Sequence, residues 1–199
     1  MFLVDDQPQV LKALVRLLGA DGFDALAFSS AADFLASDCA EQAGCLVLDL
    51  AMPDMDGMAL QQALRARSSL LPLIFLTGHG ELSSAVAAMK GGAFDFLTKP
   101  VDVAHLLAAV NAAFVHNDAA RQDAARRRHA AGLIAGLTPR EREVMALIVD
   151  GRLNKQAAAA LGTTEKTIKV HRARVMQKTG ADSFAALVRL WDAAAPARD

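Results

Sequence analysis

Five short apolar runs, each separated from the next by residues of helical period, constrain this chain most. They lie at 2–4, 25–28, 45–48, 73–76 and 94–97. Runs of this length rich in Val, Ile, Leu and Phe read as strands buried on both faces. Strands that alternate with helices give a parallel sheet covered on both sides. Four of the runs lead into polar residues: Asp5 and Asp6 after the first, Asp49 after the third, Thr77 after the fourth and Lys99 just past the fifth. Ligands of open α/β sheets gather at the carboxyl ends of the strands. Three carboxylates, a hydroxyl and an ammonium are therefore expected to converge on one pocket. Such a set can bind a divalent cation and hold a phosphoryl group on a carboxylate.

Helices are expected between the runs at 8–19, 31–37, 58–67 and 83–90, with a fifth starting near Asp102, which can cap it. Leu11, Leu14, Val15 and Leu18 share one helical face, as do Leu106, Leu107, Val110 and Phe114. Residues 1–117 are thus expected to form a doubly wound, flavodoxin-like α/β domain with five parallel strands. Its first strand is short for a central strand.

The formal net charge of −1 hides an asymmetry. Residues 1–117 carry 6 Lys and Arg against 13 Asp and Glu, a net of −7, and residues 118–199 carry 15 against 9, a net of +6. An acidic half suits metal and phosphate chemistry, and a basic half suits a polyanion such as double-stranded DNA. No apolar run approaches the roughly 20 residues of a membrane span. The first apolar residues meet acid at once, which leaves no room for a signal peptide, so a cytoplasmic protein is expected. Cys39 and Cys45 read as unpaired small residues.

Residues 118–135 are rich in Ala, Arg, Asp and Gln and include Arg126-Arg127-Arg128. They read as a solvated helical linker continuing the fifth helix. The remainder, 136–199, has only helical pattern. Thr138-Pro139-Arg140-Glu141 is a capping box with proline at the first helical position, and Val144, Leu147 and Ile148 mark the buried stripe behind it. Asn154 is expected to cap a short helix at 155–161, Thr163 or Thr164 a longer one reaching Lys178, and Ser183 a fourth.

Within the pocket, Asp5, Asp6 and Asp49 would repel one another unless a cation joined them. Mg²⁺ meets that need, with Asp49 as nucleophile, Lys99 and Thr77 on phosphoryl oxygens. Any one of these residues alone would read as a helix cap or surface charge; together they point to the pocket. The run Leu48-Asp49-Leu50-Ala51-Met52-Pro53-Asp54-Met55-Asp56-Gly57, with Asp5-Asp6, Thr77-Gly78 and Lys99-Pro100, resembles the receiver domain of bacterial response regulators. The resemblance implies that Asp6 and Asp49 ligate Mg²⁺ directly, the Ala51 carbonyl supplies a third ligand, and Asp5 acts largely through water. It also implies a cis Lys99–Pro100 bond, and a switch in which Thr77 moves toward the phosphoryl group while Phe96 turns inward. Phe96 lacks a hydroxyl, so its burial would be a packing event only. Phe94 reads as core, Met52 and Met55 as loop packing, His79 as a solvent-exposed loop residue. His105, His116 and His129 have no metal-binding spacing.

The helices at 155–161 and 165–178 form a helix-turn-helix pattern. Ile168, His171 and Val175 share the core-facing side of the second. Lys166, Lys169, Val170 and Ala173 project from the other side, flanked by Arg172 and Arg174, a division suited to a recognition helix. Lys169 is the candidate for reading a guanine and Val170 for a thymine methyl. Lys155, Lys166, Arg174 and Lys178 are expected at phosphates, and Asn154, Thr164, Thr167 and Arg172 complete the DNA-facing set. The segments 137–144 and 167–176 resemble the LuxR/NarL group, FixJ-like subgroup. Thr179 departs from it, standing where the group usually carries an apolar residue.

Together the resemblances imply a two-component transcription regulator, phosphorylated at Asp49 by a sensor histidine kinase and pairing as a homodimer on DNA. It would catalyse only its own phosphorylation and dephosphorylation. Two rival readings are a regulator with a vestigial receiver and an aspartyl-phosphate phosphohydrolase. The second is disfavoured because such enzymes place the nucleophile after the first strand, with a second Asp two residues on.

Overall fold

The computed structural model describes residues 1–78 and 82–195, the side chains of 82–84 excepted. His79 lies outside the described residues. The chain divides into two compact units, Met1–Arg121 and Gln122–Asp199.

The first unit alternates strand and helix: β1 (Phe2–Val4), α1 (Pro8–Ala20), β2 (Leu26–Phe28), α2 (Ala31–Ala36), a 3₁₀ turn (Asp38–Glu41), β3 (Leu46–Asp49), α3 (Gly57–Ala66), β4 (Leu73–Thr77), α4 (Leu82–Lys90), β5 (Asp95–Thr98) and the start of α5 (Val103–Ala135). The five strands are parallel in the order β2-β1-β3-β4-β5. Side chains alternate across the sheet, as the two-residue period of a strand requires. Phe2, Val4, Leu46, Leu48, Leu73 and Phe75 join Phe34 of α2, Leu60 and Leu64 of α3 and Ala88 of α4 on one face. Leu3, Val47, Ile74, Leu76 and Leu97 join Leu11, Leu14 and Leu18 of α1 and Leu106, Val110 and Ala113 of α5 on the other. Phe94 packs on this second face, as the sequence indicated, and its ring meets His116 at 5.3 Å.

Strand ends differ from the apolar runs by a residue or two, because backbone pairing continues after the apolar pattern stops. Asp49 pairs with Leu76 and Thr77 with Thr98, so both polar residues are the last of their strands rather than just past them. Strand β5 begins at Asp95, which leaves Phe94 outside it. At the edge, Leu26 of β2 is exposed and Ala25 is not in the strand. Met1 already takes part in the pairing, accepting from the Leu26 N–H.

Helix α5 is unbroken and runs 33 residues to Ala135. The second unit then folds α6 (Pro139–Val149), α7 (Asn154–Ala160), α8 (Glu165–Thr179) and α9 (Phe184–Ala194) around Leu137, Val144, Met145, Ile148, Ala157, Ile168, Val175 and Leu187. The Thr138 capping box forms, with both reciprocal hydrogen bonds. Met145 is fully buried where Leu147 was expected to be; Leu147 packs at the margin. Asn154 is not a cap. It is the first helical residue of α7, and Leu153 occupies the capping position with no side chain to offer. Gln156 reaches back instead, its Oε1 accepting from the Leu153 N–H at 2.9 Å. Thr164 caps α8 and Ser183 caps α9, while Gly180 ends α8 with φ of 68°, the left-handed conformation glycine adopts freely. Both cysteines are buried and free. Burial pushes the Cys45 thiol up to about 12.

Candidate functional site

Strands β1, β3 and β4 deliver Asp5, Asp49 and Thr77 to the carboxyl edge of the sheet, where all three are buried. Parallel pairing enforces this: β1 and β3 are in register at Val4 and Leu48, so the residues that follow them emerge side by side. One carboxylate oxygen from each of Asp5, Asp6 and Asp49 lies within 4.8 Å of the others. Lys99, beyond β5, inserts its ammonium between two of them, 2.8 Å from Asp5 Oδ2 and 2.7 Å from Asp49 Oδ1. Asp5 Oδ1 accepts from the Gln7 N–H at 2.9 Å. The Lys99–Pro100 bond is cis.

The charges do not balance. Among the described residues, three carboxylates face one ammonium, and Asp6 Oδ1 is buried with no hydrogen-bond partner. Buried anionic oxygen without a donor is costly. The donor set therefore fits a hard divalent cation, which prefers carboxylate oxygen. Burial raises the Asp49 carboxyl; the Lys99 hydrogen bond and charge act against this, and the charges of Asp5 and Asp6 add to it. For Lys99, burial alone would lower the ammonium, but its bonds to Asp49 and Asp5 outweigh that and raise it. Lys99 thus stays charged, and it favours the ionised form of Asp49.

The loop after β3 is held close. The Gly57 N–H donates to the Leu50 carbonyl at 2.9 Å, and Asp56 caps α3 by accepting from the Ala59 N–H at 2.7 Å. A Cβ on Gly57 would lie 2.6 Å from the Asp49 carbonyl oxygen and 2.9 Å from the Phe75 ring, so only glycine lets α3 start this near the backbone of Asp49. Ala51 is exposed in this loop, Met52 is buried and Met55 packs on the core. Phe96, in β5, is half-buried against the face that α3 and α4 cover.

In the second unit, α8 divides as its spacing indicates. Ile168 and Val175 are fully buried, and Lys166, Lys169, Val170, Ala173 and Arg174 are exposed. Lys155 and Thr164 are exposed too, while Arg172, Thr167 and Asn154 are half-buried. The Thr164 hydroxyl is engaged as the cap, accepting from the Thr167 N–H. Among the described residues, half-buried His171 has no partner at Nδ1, and Asn154 has none at Oδ1. Lys178, expected at a phosphate, instead donates to Glu141 Oε2 at 2.7 Å. Glu141 is buried, and Lys178 together with the Thr138 N–H pulls its carboxyl down to about 2. Thr179 hydrogen-bonds the Val175 carbonyl at 2.8 Å, so its hydroxyl is satisfied locally and the apolar position it occupies stays buried.

Sequence reasoning missed the Glu141–Lys178 pair, because the capping box already explained Glu141. It also missed Asn117, fully buried in α5. The signal was present: Leu106, Val110, Ala113 and Asn117 follow one helical stripe, and a polar residue on it needs partners.

Residues 1–111 match the model of the response regulator receiver domain, and residues 135–191 that of the bacterial regulatory proteins of the luxR family. The chain is 42% identical over 190 residues to the tetrathionate response regulatory protein TtrR of Salmonella typhimurium, covering 96% of this chain and 90% of that one. It is 41% identical over 189 residues to the transcriptional regulatory protein FixJ of Azorhizobium caulinodans, covering 94% and 89%. The solved structure of the response regulator StyR superposes with a TM-score of 0.84 at 42% identity, over 96% of both chains. Full-length FixJ from B. japonicum gives 0.60 at 37% identity, over 97% and 95%.

Proposed function

Because this chain belongs to the response regulators that join a receiver to a LuxR-type DNA-binding domain, we propose that Asp49 takes a phosphoryl group from a sensor histidine kinase and that the receiver thereby controls how the second unit holds promoter DNA. The protein is a transcription regulator of a two-component system, and the reaction is its own switch rather than turnover of a metabolite. The observation that carries this reading is the cluster of Asp5, Asp6 and Asp49 at the carboxyl edge of the sheet, with Lys99 bonded to Asp5 and Asp49.

A carboxylate oxygen of Asp49 attacks the phosphorus of a phosphohistidine. The P–N bond breaks, its electron pair returns to the imidazole, and Asp49 becomes an acyl phosphate. Lys99 reaches a phosphoryl oxygen from where it now meets Asp49, and Thr77 donates to another. Asp5, Asp6, Asp49 and the Ala51 carbonyl are the residues that would hold Mg²⁺, which supplies shielding of the negative charge that the two reactants bring together. Water later hydrolyses the acyl phosphate and resets Asp49.

The output follows from exposed apolar surface on α4 and α5. Val86 and Met89 of α4 and Val103 of α5 are exposed apolar side chains, and Phe96 of β5 is half-buried against the core face that α4 helps to cover. Movement of Thr77 and Phe96 would reshape this face and favour a receiver homodimer. Two helix-turn-helix units would then engage a two-fold site. The reading assigns 1–117 to the receiver, 118–135 to the linker and 136–199 to DNA. Lys169 and Val170 face base edges; Lys155, Lys166 and Arg174 face phosphates; Asn154, Thr164, Thr167, Arg172 and Ala173 line the same surface. Lys178 belongs to this set only when it leaves Glu141. No helix among the described residues is long and apolar enough to cross a membrane, and the reading places the regulator with the DNA in the cytoplasm.

Light scattering on the wild type and Asp49→Ala, with Mg²⁺ and the phosphoryl mimic beryllofluoride, tests this. Only the wild type is expected to go from monomer to dimer. If both stay monomeric, dimerisation is not the output and release of the DNA-binding unit takes its place.

A further inference from the structure

The pocket lies at the carboxyl edge of the sheet, whereas α5 leaves the first unit at the opposite edge. Apolar packing of Leu106, Val110 and Ala113 holds α5 against the sheet, but such contacts tolerate sliding and rotation because they are not directional. At the far edge the contacts change character. Asn117 is fully buried, and its carboxamide is used at both ends. Oδ1 accepts from the Gly44 N–H at 3.0 Å, and Nδ2 donates to the Leu70 carbonyl at 2.6 Å. One helical turn on, Arg121 donates to the Glu41 carbonyl at 2.9 Å. Gly44 leads into β3, the strand that ends at Asp49, and Leu70 leads into β4, the strand that ends at Thr77. A single side chain therefore ties α5 to the near ends of the two strands whose far ends carry the phosphoacceptor and the switch hydroxyl. Beyond Asn117 the same helix continues unbroken to Ala135.

We propose that Asn117 is a coupling residue: its two hydrogen bonds fix the register and rotation of α5 on β3 and β4, so that rearrangement at Asp49 and Thr77 is passed to the helix at 122–135. The inference rests on the phosphorylation reading above. Two bonds from one planar amide to two separate loops define a rotation as well as a position, which a hydrophobic contact does not. Coupling of this kind needs an element with two arrangements that both sites bias, and a rigid helix pinned at its base can serve.

Hydrogen exchange on the full chain tests the proposal, with and without Mg²⁺ and beryllofluoride, on the wild type, Asn117→Asp and the milder Asn117→Ser. Asn117→Asp keeps an acceptor for Gly44 but sets an oxygen against the Leu70 carbonyl. In the wild type, amides at 46–49 and 73–77 and those at 122–135 should all respond, the last by a factor on the order of ten, within the usual range of coupling between sites. In both variants the strand amides should respond as before, while the 122–135 response disappears. A purely structural Asn117 would loosen amides near 44 and 70 yet leave the 122–135 response intact, and that result overturns the proposal. So does loss of the strand response in both variants, which would make Asn117 part of the receiver's fold, or a wild type whose linker does not respond. A wild type whose strands do not respond would instead remove the phosphorylation reading.

Discussion

Lys99 bonds two buried carboxylates at once, and that sets the behaviour of Asp49. Burial raises the Asp49 carboxyl, and Lys99 is what pulls it back. In Lys99→Met the Asp49 carboxyl is expected to titrate at higher pH than in the wild type, and uptake of phosphate from acetyl phosphate at neutral pH should fall; carboxyl NMR titration checks the first and mass spectrometry the second. The sign of the pH effect follows. A carboxyl whose folded pKa is raised holds its proton in the folded state over a range where the unfolded chain has lost it. Stability attributable to Asp49 is therefore lost as pH rises from its ordinary 3.8 through the raised value. The stability difference between Asp49→Asn and the wild type should widen in favour of the variant over that interval. Gly57 is a second residue-scale case. Its added Cβ would meet the Asp49 carbonyl oxygen and the Phe75 ring, so Gly57→Ala should cost about 1–3 kcal/mol, as overpacking does, and displace the carboxylate. Chemical denaturation measures the cost.

At the scale of elements, the second unit carries one weak start and one strong one. Helix α7 has Leu153 in its capping position, whose extended φ and ψ of −67° and 155° suit a capping residue but whose side chain cannot accept a hydrogen bond. Leu153 is also exposed. Leu153→Ser would complete the box that Gln156 already half makes, a gain of about 0.5–2 kcal/mol. Trp191, the single tryptophan, packs on the core of this unit and reports its unfolding in the intact chain. Helix α6 starts strongly, because Glu141 accepts from both the Thr138 N–H and Lys178. The Glu141 carboxyl is lowered from 4.5 to about 2, so its contribution is present above 4.5 and lost as pH falls toward 2. Followed by Trp191 fluorescence, the wild type should lose stability over that interval more steeply than Glu141→Gln. The starts of α6, α8 and α9 were legible in the sequence because the caps are local. The start of α7 was not: Asn154 is a good capping residue type, but backbone geometry put Leu153 in that position.

For the whole molecule, the acidic and basic halves predict opposite electrostatic behaviour. DNA binding by the second unit should weaken steeply with salt, the logarithmic slope scaling as roughly −0.9 per phosphate contacted. Lys166→Gln and Arg174→Gln should each reduce that slope by about 1, whereas Lys169→Gln should also relax base preference. Affinity measured across salt concentrations on a duplex selected from a random library separates the two effects.

The sequence by itself determined the fold class, the chain order of strands and helices, and which residues end the strands beside one another. Each of these depends on local period and on the rule that parallel strands place their carboxyl ends together. Only the tertiary structure decided which groups share a proton donor or a cation. The bridging of Asp5 and Asp49 by Lys99, the capture of Lys178 by Glu141, and the two hydrogen bonds of Asn117, one to Gly44 and one to Leu70, join residues far apart in the chain. Hydrogen bonds act over about 3 Å and depend on angle. Hydrophobic period places a residue on a face, but it does not carry the position of its polar atoms to that precision.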